Sequence, residues 1–119
     1  MFEWVKGNVY TLNVTLYTSN ITLNAAAASY FSDVRWVMIG FDKEKKQVAI
    51  KPVTKRELDL KLVSLEQLHK ISIGKGYGRI SNKAVLEQIA QMCNETLDGT
   101  KKGANFDEKQ GMLIIDLLS

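Results

Sequence analysis

One cysteine, one histidine and one proline occur in this chain of 119 residues, and each scarcity closes off a class of function. Cys93 has no partner for an internal disulfide, so any stability has to come from a buried core rather than from cross-links. His69 stands alone, which leaves no multi-histidine metal site and removes most catalytic triads. No run approaches the roughly 18 consecutive apolar residues of a membrane-spanning helix. Met1 to Gly7 hold neither a basic start nor a long apolar stretch, so no secretory signal is read there. A cytoplasmic protein with no membrane partner is the expectation, and the sequons at Asn13, Asn20 and Asn94 are then incidental.

What the chain does contain suits one globular domain. Hydrophobic residues make up 45% and charged residues 24%, the balance of a folded protein, and a chain of this length buries about two-thirds of its unfolded surface. The net charge of +3 is unevenly spread. Residues 35–83 hold 12 Lys/Arg against 5 Asp/Glu, while residues 84–119 hold 3 against 6. A basic middle suits an anionic partner; it equally suits solvated turns and strand edges, where lysine blocks edge-to-edge pairing.

The second half echoes the first. Phe41-Asp42 leads a polar turn and an apolar run ending at Ile50, and Phe106-Asp107 leads another ending at Ile115, 65 residues on in both cases (41 to 106, 50 to 115). Each follows a similar prelude: Ile21-Thr22-Leu23-Asn24 and an alanine-rich stretch, or Ile80-Ser81-Asn82 and Lys83-Ala84-Val85-Leu86. The pattern predicts one domain over 1–119, built of two strand–helix–hairpin repeats at about 9–53 and 71–118, with a linker at about 54–70.

Local signals fill in the units. Period-two alternation over residues 9–17, with Tyr10, Leu12, Val14 and Leu16 on one face, predicts a half-buried strand. Thr18-Ser19-Asn20 is a turn and Ile21–Leu23 a short strand. Asn24 suits an N-cap for a helix at about 25–32, burying Ala27, Tyr30 and Phe31. Residues 34–41 and 48–50 form a hairpin around Asp42 to Lys46, with Pro52 marking a strand end or an edge. In the linker, alternating Leu58, Leu60 and Leu62 suggest a strand, and Ser64-Leu65-Glu66-Gln67 fits a capping box. Ile71 and Ile73 then lead into a flexible Gly74-Lys75-Gly76-Tyr77-Gly78. Arg79-Ile80 is a short strand, Ser81 or Asn82 caps a helix at about 83–94, residues 94–103 form a polar loop, and 104–107 with 111–118 make a final hairpin.

Catalytic chemistry is sparse. Cys93 falls on the apolar face of the second helix, the setting of a structural thiol rather than a nucleophile. The glycine cluster at 74–78 lacks the spacing and the Lys-Ser/Thr ending of a phosphate loop, and reads as a turn needing positive φ. Asp42 and Asp107 at matched turns suit local backbone hydrogen bonding rather than a catalytic pair. Trp4, Trp36 and Phe41 read as core residues before base-stacking platforms. No enzyme activity, cofactor, metal or small-molecule ligand is predicted.

Gly78-Arg79-Ile80 followed by Ser81-Asn82, and the first-half segments Ser19 to Asn24 and Val48-Ala49-Ile50-Lys51-Pro52, resemble the AbrB-like (MraZ and SpoVT class) swapped-hairpin motif. The chain also resembles, over about residues 15–118, a group of bacterial proteins without an established activity. The AbrB-like resemblance implies an α+β, mainly β fold: two units packed as a small pseudo-twofold β-barrel with short helices, both motifs coming from one chain. It also implies DNA binding. The first unit has Ser19-Asn20 where the second has Gly78-Arg79.

Two expectations of different class follow. One is a non-enzymatic DNA-binding regulator, with Arg79, Lys75 and Lys83 on phosphates near the second motif and Arg35, Lys51, Lys55 and Arg56 extending the patch. The other is an interaction or structural module that docks another protein, or a second copy of itself, through the acidic second half.

Overall fold

Alternation of Val14 and Leu16 with polar neighbours, and of Ile21 and Leu23 with Thr22 and Asn20, makes two short strands that bury one face each. The computed structural model describes residues 1–2 and 12–118. In it these strands are β1 (Asn13–Leu16) and β2 (Asn20–Leu23), followed by α1 (Ala25–Ala28) and a 3-10 turn (Ser29–Phe31). The hairpin β3 (Trp36–Asp42) and β4 (Gln47–Val53) comes next, then α2 (Lys55–Asp59) and a second 3-10 turn (Leu65–Gln67). The chain continues through β5 (Leu68–Gly74), β6 (Tyr77–Ser81), α3 (Lys83–Cys93), β7 (Thr100–Asp107) and β8 (Met112–Asp116). The result is mainly β: an eight-stranded, all-antiparallel closed barrel in the order β1-β2-β6-β5-β3-β4-β8-β7. Residues 9–11 of the expected first strand, and Trp4, lie outside the described residues.

The ring has a regularity. Exchanging β1 with β5, β2 with β6, β3 with β7 and β4 with β8 returns the same strand order. The 65-residue echo holds in the registers: Phe41 opposes Val48 as Phe106 opposes Leu113, and Asp42 opposes Gln47 as Asp107 opposes Met112. At the β4–β8 seam, Val48 faces Ile115 and Ile50 faces Leu113, all four fully buried. Both turns are closed by their aspartate, as expected. Asp42 Oδ1 accepts from the Lys45 N–H at 3.1 Å, and Asp107 Oδ1 accepts from Lys109 and Gln110 at 3.0 and 3.2 Å. Lys46 and Gly111, again 65 apart, both take left-handed backbone (φ 56° and 66°).

Helices close the interior. Asn24 caps α1 by accepting from the Ala27 N–H at 3.0 Å, and Ala27 and Phe31 are fully buried. Phe31 alone is worth about 1.5–3 kcal/mol of apolar burial. Asn82, not Ser81, caps α3, accepting from the Val85 N–H at 3.1 Å. Val85, Leu86, Ile89 and Met92 then lie on the buried stripe that their spacing predicts.

Several expectations are corrected. Tyr30 is not in the core; it is 41% exposed and stacks on Phe106 at 4.0 Å between ring centroids. The helix at 25–32 is four α-helical residues and a 3-10 turn, and Asn20 is already strand. Leu58, Leu60 and Leu62 do not form a strand. The stronger local signal is Thr54 with Glu57, a complete capping box that starts α2: Thr54 Oγ1 accepts from the Glu57 N–H, and Glu57 Oε1 accepts from the Thr54 N–H, both at 3.2 Å. Leu60 and Leu62 are left exposed. Ser64 does precede a single helical turn, but its side chain makes no capping bond. The return strand runs on through Pro52 to Val53; β8 pairs with β4 only as far as Ile50, so Pro52 sits where that side of β4 is an edge. Gly74 to Gly78 is a tight hairpin with Gly76 at φ +83°, rather than a flexible link. β5 starts at Leu68, and the element order runs β-hairpin, helix, β-hairpin twice along the chain. The polar loop ends at Gly99, because β7 starts at Thr100 to pair with β1.

Candidate nucleic-acid interface

Five neighbouring strands, β7, β1, β2, β6 and β5, bury their alternate residues and turn the others outward. Register sets one outward row across them: Lys101 opposes Thr15, Thr15 opposes Thr22, Thr22 opposes Arg79, and Arg79 opposes Ser72. Behind this row lie Leu16, Ile21, Ile80 and Ile71. At about 4.8 Å per strand, Arg79 and Lys101 stand roughly 14 Å apart. Lys70 lies two residues along β5 from Ser72, opposite Trp36, and Lys75 is at the tip of the β5–β6 hairpin.

No aspartate or glutamate occurs in β1, β2, β5 or β6, nor in β7 before its last residue, Asp107. The face is therefore basic and hydroxyl-rich, its one acidic residue being Asp107 at the far end of β7, six residues along the strand from Lys101. Lys70, Lys75, Arg79 and Lys101 are all exposed and, among the described residues, none of them forms an ion pair.

Tyr77 lies on the same face, with the Arg79 guanidinium 5.5 Å from its ring centroid, within cation–π range. Its cross-strand partner is Gly74. A Cβ at 74 would collide with Cε1 and Cζ of the ring, so the tyrosine reaches over β5 at this place only because residue 74 is glycine. Tyr77 remains 40% exposed.

The residues singled out from sequence divide. Arg79 and Lys75 belong to this face. Arg35 borders it: its carbonyl accepts from the Ile71 N–H at 2.9 Å, which places the backbone of residue 35 beside β5. Lys51 is exposed on β4 opposite Met38, and Lys55 and Arg56 are exposed in α2, just after β4, so these three lie around the barrel rather than on the five-stranded face. Lys83 is set apart, in a groove shared with Thr18, Glu87 and Glu95. Trp36 is not core; it is 37% exposed beside Lys70. Phe41 is partly buried against the core, as expected.

Lys70, Lys101, Tyr77 and the threonines were missed. Outward alternation carried the signal, but it was hidden at Lys101 by reading 94–103 as loop.

The remaining titratable groups add little positive charge or reactivity here. His69 faces inward opposite Val37; burial lowers its pKa, and its Nδ1 lies 3.2 Å from the amide nitrogen of Asn82, so Nδ1 accepts and the ring is neutral. The Cys93 thiol is pushed up by burial and by Glu95, which keeps it protonated. Lys102 is 8% exposed at the inward position that Val37 occupies 65 residues earlier, and its Nζ lies 2.7 Å from Glu95 Oε1. That hydrogen bond is the main cause of a lowered Glu95 pKa. No three His, Cys, Asp or Glu side chains stand together as metal ligands would among the described residues, and none of the helices described is long and apolar enough to cross a membrane.

A second surface lies on the opposite side of the ring. Gly40, Ala49, Met112 and Ile114 floor a groove of about 500 Å³ between Asp42 and Lys45 on one hairpin and Asp107 and Gln110 on the other. Ala49 opposes Ile114 there, at the β4–β8 seam.

No family model, curated protein or solved structure matches this chain.

Proposed function

We propose that this chain is a non-enzymatic DNA-binding protein, a transcriptional regulator of AbrB-like type whose two swapped-hairpin units arose by duplication and pack about a pseudo-twofold axis. The observation that carries the reading is the outer face of β7, β1, β2, β6 and β5, whose row from Lys101 to Ser72 holds no acid and where Lys70, Lys75, Arg79 and Lys101 have no internal counterion among the described residues. Lysine and arginine on a convex surface gain affinity by releasing counterions from phosphates, and threonine and serine hydroxyls between them supply positioning hydrogen bonds. The charge asymmetry of the two halves does not oppose this. Lys101 comes from the acidic half and Arg79 from the basic middle, yet they share one row. A bacterial, cytoplasmic setting belongs to the same proposal.

Fluorescence anisotropy with labelled DNA, duplex and single-stranded, tests it. Binding at about 50 mM salt that weakens steeply as salt rises is expected; no binding to either form at that salt sinks the proposal.

The groove of Gly40, Ala49, Met112 and Ile114 favours a second reading, in which the barrel docks another protein or a second copy of itself there. A nuclease-resistant complex lost in Ala49→Glu would select it.

A further inference from the structure

The basic face explains attraction to phosphate in general and says nothing about whether the strand is paired. Tyr77 does. Resting on the reading above that this face holds nucleic acid, we infer that it takes single-stranded nucleic acid, with an unpaired base stacked on Tyr77 and the adjoining phosphate on Arg79.

Three observations converge. First, the far end of the ring, Cε1, Cζ and the hydroxyl, occupies the space that a Cβ on Gly74, its cross-strand partner, would fill, while the residue stays 40% exposed. An exposed aromatic offers a stacking surface to any base and is indifferent to sequence. Second, a cation accompanies it. The Arg79 guanidinium is 5.5 Å from the ring centroid and has no ion-pair partner among the described residues, so base and phosphate of one nucleotide meet two adjacent side chains of β6. Third, the surface is too broad to enter the major groove of a duplex. Five strands at about 4.8 Å spacing make a face roughly 19 Å wide, broader than the major groove of about 12 Å. The β5–β6 hairpin is held on both sides, by β3 and β2, so it does not stand free as a ribbon that could enter the groove. Paired bases keep their faces inside the stack, out of reach of a ring lying on a sheet. An unpaired base can be laid on it.

The test measures anisotropy of a labelled thymidine oligonucleotide of about 12 nucleotides, matched to the usual reach of a single barrel, against a duplex of equal length at the same salt. The single strand is expected to bind about 10-fold tighter. Tyr77→Phe is expected to keep that preference. Tyr77→Leu still covers Gly74 but lacks a π-face, and is expected to lose about 10-fold for the single strand and nothing for the duplex. Equal or tighter duplex binding by the unmodified protein, or an equal loss for both forms in Tyr77→Leu, overturns this inference while leaving the DNA reading intact. Absence of binding to either form overturns both. The ratio for the unmodified protein decides the matter even if Tyr77→Leu fails to fold.

Discussion

Replacing Arg79 and Lys101 together with glutamine measures whether the outward row is the contact surface. The two side chains are the cations of the row, three strands apart, and with Lys70 and Lys75 they make four cations on the face. For a single strand, each phosphate neutralised contributes about −0.7 to the slope of log affinity against log salt. Four contacts then give a slope of about −2.8, or a loss of roughly 50-fold between 50 and 200 mM salt. The double variant should fall to a slope of about −1.4, a loss of roughly 7-fold over the same range. Its fold should survive. Both residues are exposed and neither is in an ion pair among the described residues; the one contact forfeited is Arg79 with the Tyr77 ring, worth about 0.5–1 kcal/mol at an exposed site. Lys83→Gln is the control. It removes the same charge from a groove that already holds Glu87 and Glu95, so the slope should stay near that of the unmodified protein. Anisotropy titrations at four potassium chloride concentrations supply the slopes. An unchanged slope in the double variant, or an equal flattening in Lys83→Gln, refutes the assignment of this face.

Gly74→Ala puts a Cβ where the far end of the exposed Tyr77 ring lies, so the ring should swing aside with a change of no more than about 0.5 kcal/mol in urea unfolding; a loss well beyond that would show that the ring is held in place. Asn82→Ala removes the cap on the Val85 N–H and the contact with His69, so a loss of about 1–2 kcal/mol is expected from the same measurement. Burial lowers the His69 pKa in the folded protein below its unfolded value of about 6.5, so the unfolded chain takes up the proton first. That stability is fully present above pH 6.5 and is lost as pH falls below it; the decline in Tm from pH 7.5 towards 5 should shrink in His69→Gln. Lys102→Met replaces a buried ammonium by an apolar side chain of similar length in a position where the other half has Val37, and should leave Tm unchanged or raise it; a marked fall would mean that the Glu95 contact organises the 94–99 loop.

Much of the fold could be read because local and global signals agreed. The Phe41-Asp42 and Phe106-Asp107 echo predicted two hairpins, and the structure adds that they share one register, since a turn closed by aspartate fixes which residues oppose one another. Asn24 and Asn82 were legible as caps because a helix start leaves N–H groups that a short polar side chain can accept. Readings failed where two patterns overlapped. Leucines at 58, 60 and 62 alternate as a strand would, yet Thr54 and Glu57 start a helix, and reciprocal capping outweighs alternation that has no buried face to serve. Lys101 and Lys102 looked like loop because they follow Asp98-Gly99, and only pairing with β1 makes them strand. That pairing is separated by more than 80 positions (16 to 100), beyond the reach of any local pattern.

The site was less legible than the fold for a physical reason. Charge counted along the chain sorts it into a basic middle and an acidic end, but the barrel interleaves its two halves, so counts by segment say little about any one surface. β1 and β2 contribute no charge to the face, and their importance lies in that absence: Thr15 and Thr22 separate Arg79 from Lys101 without a carboxylate between them. The acidic residues of the second half are placed in α3, the 94–99 loop, the end of β7 with its turn, and the end of β8, off the row. A closed barrel makes this sorting possible, because strand alternation sends every second residue outward and strand order decides which outward residues become neighbours. The divergence that matters between the two halves is therefore positional. At one inward site it sets Lys102 against Val37, and on the outward face it places Arg79 on β6, with Tyr77 two residues before it, where the matched registers put Asn20 of β2 and Thr18.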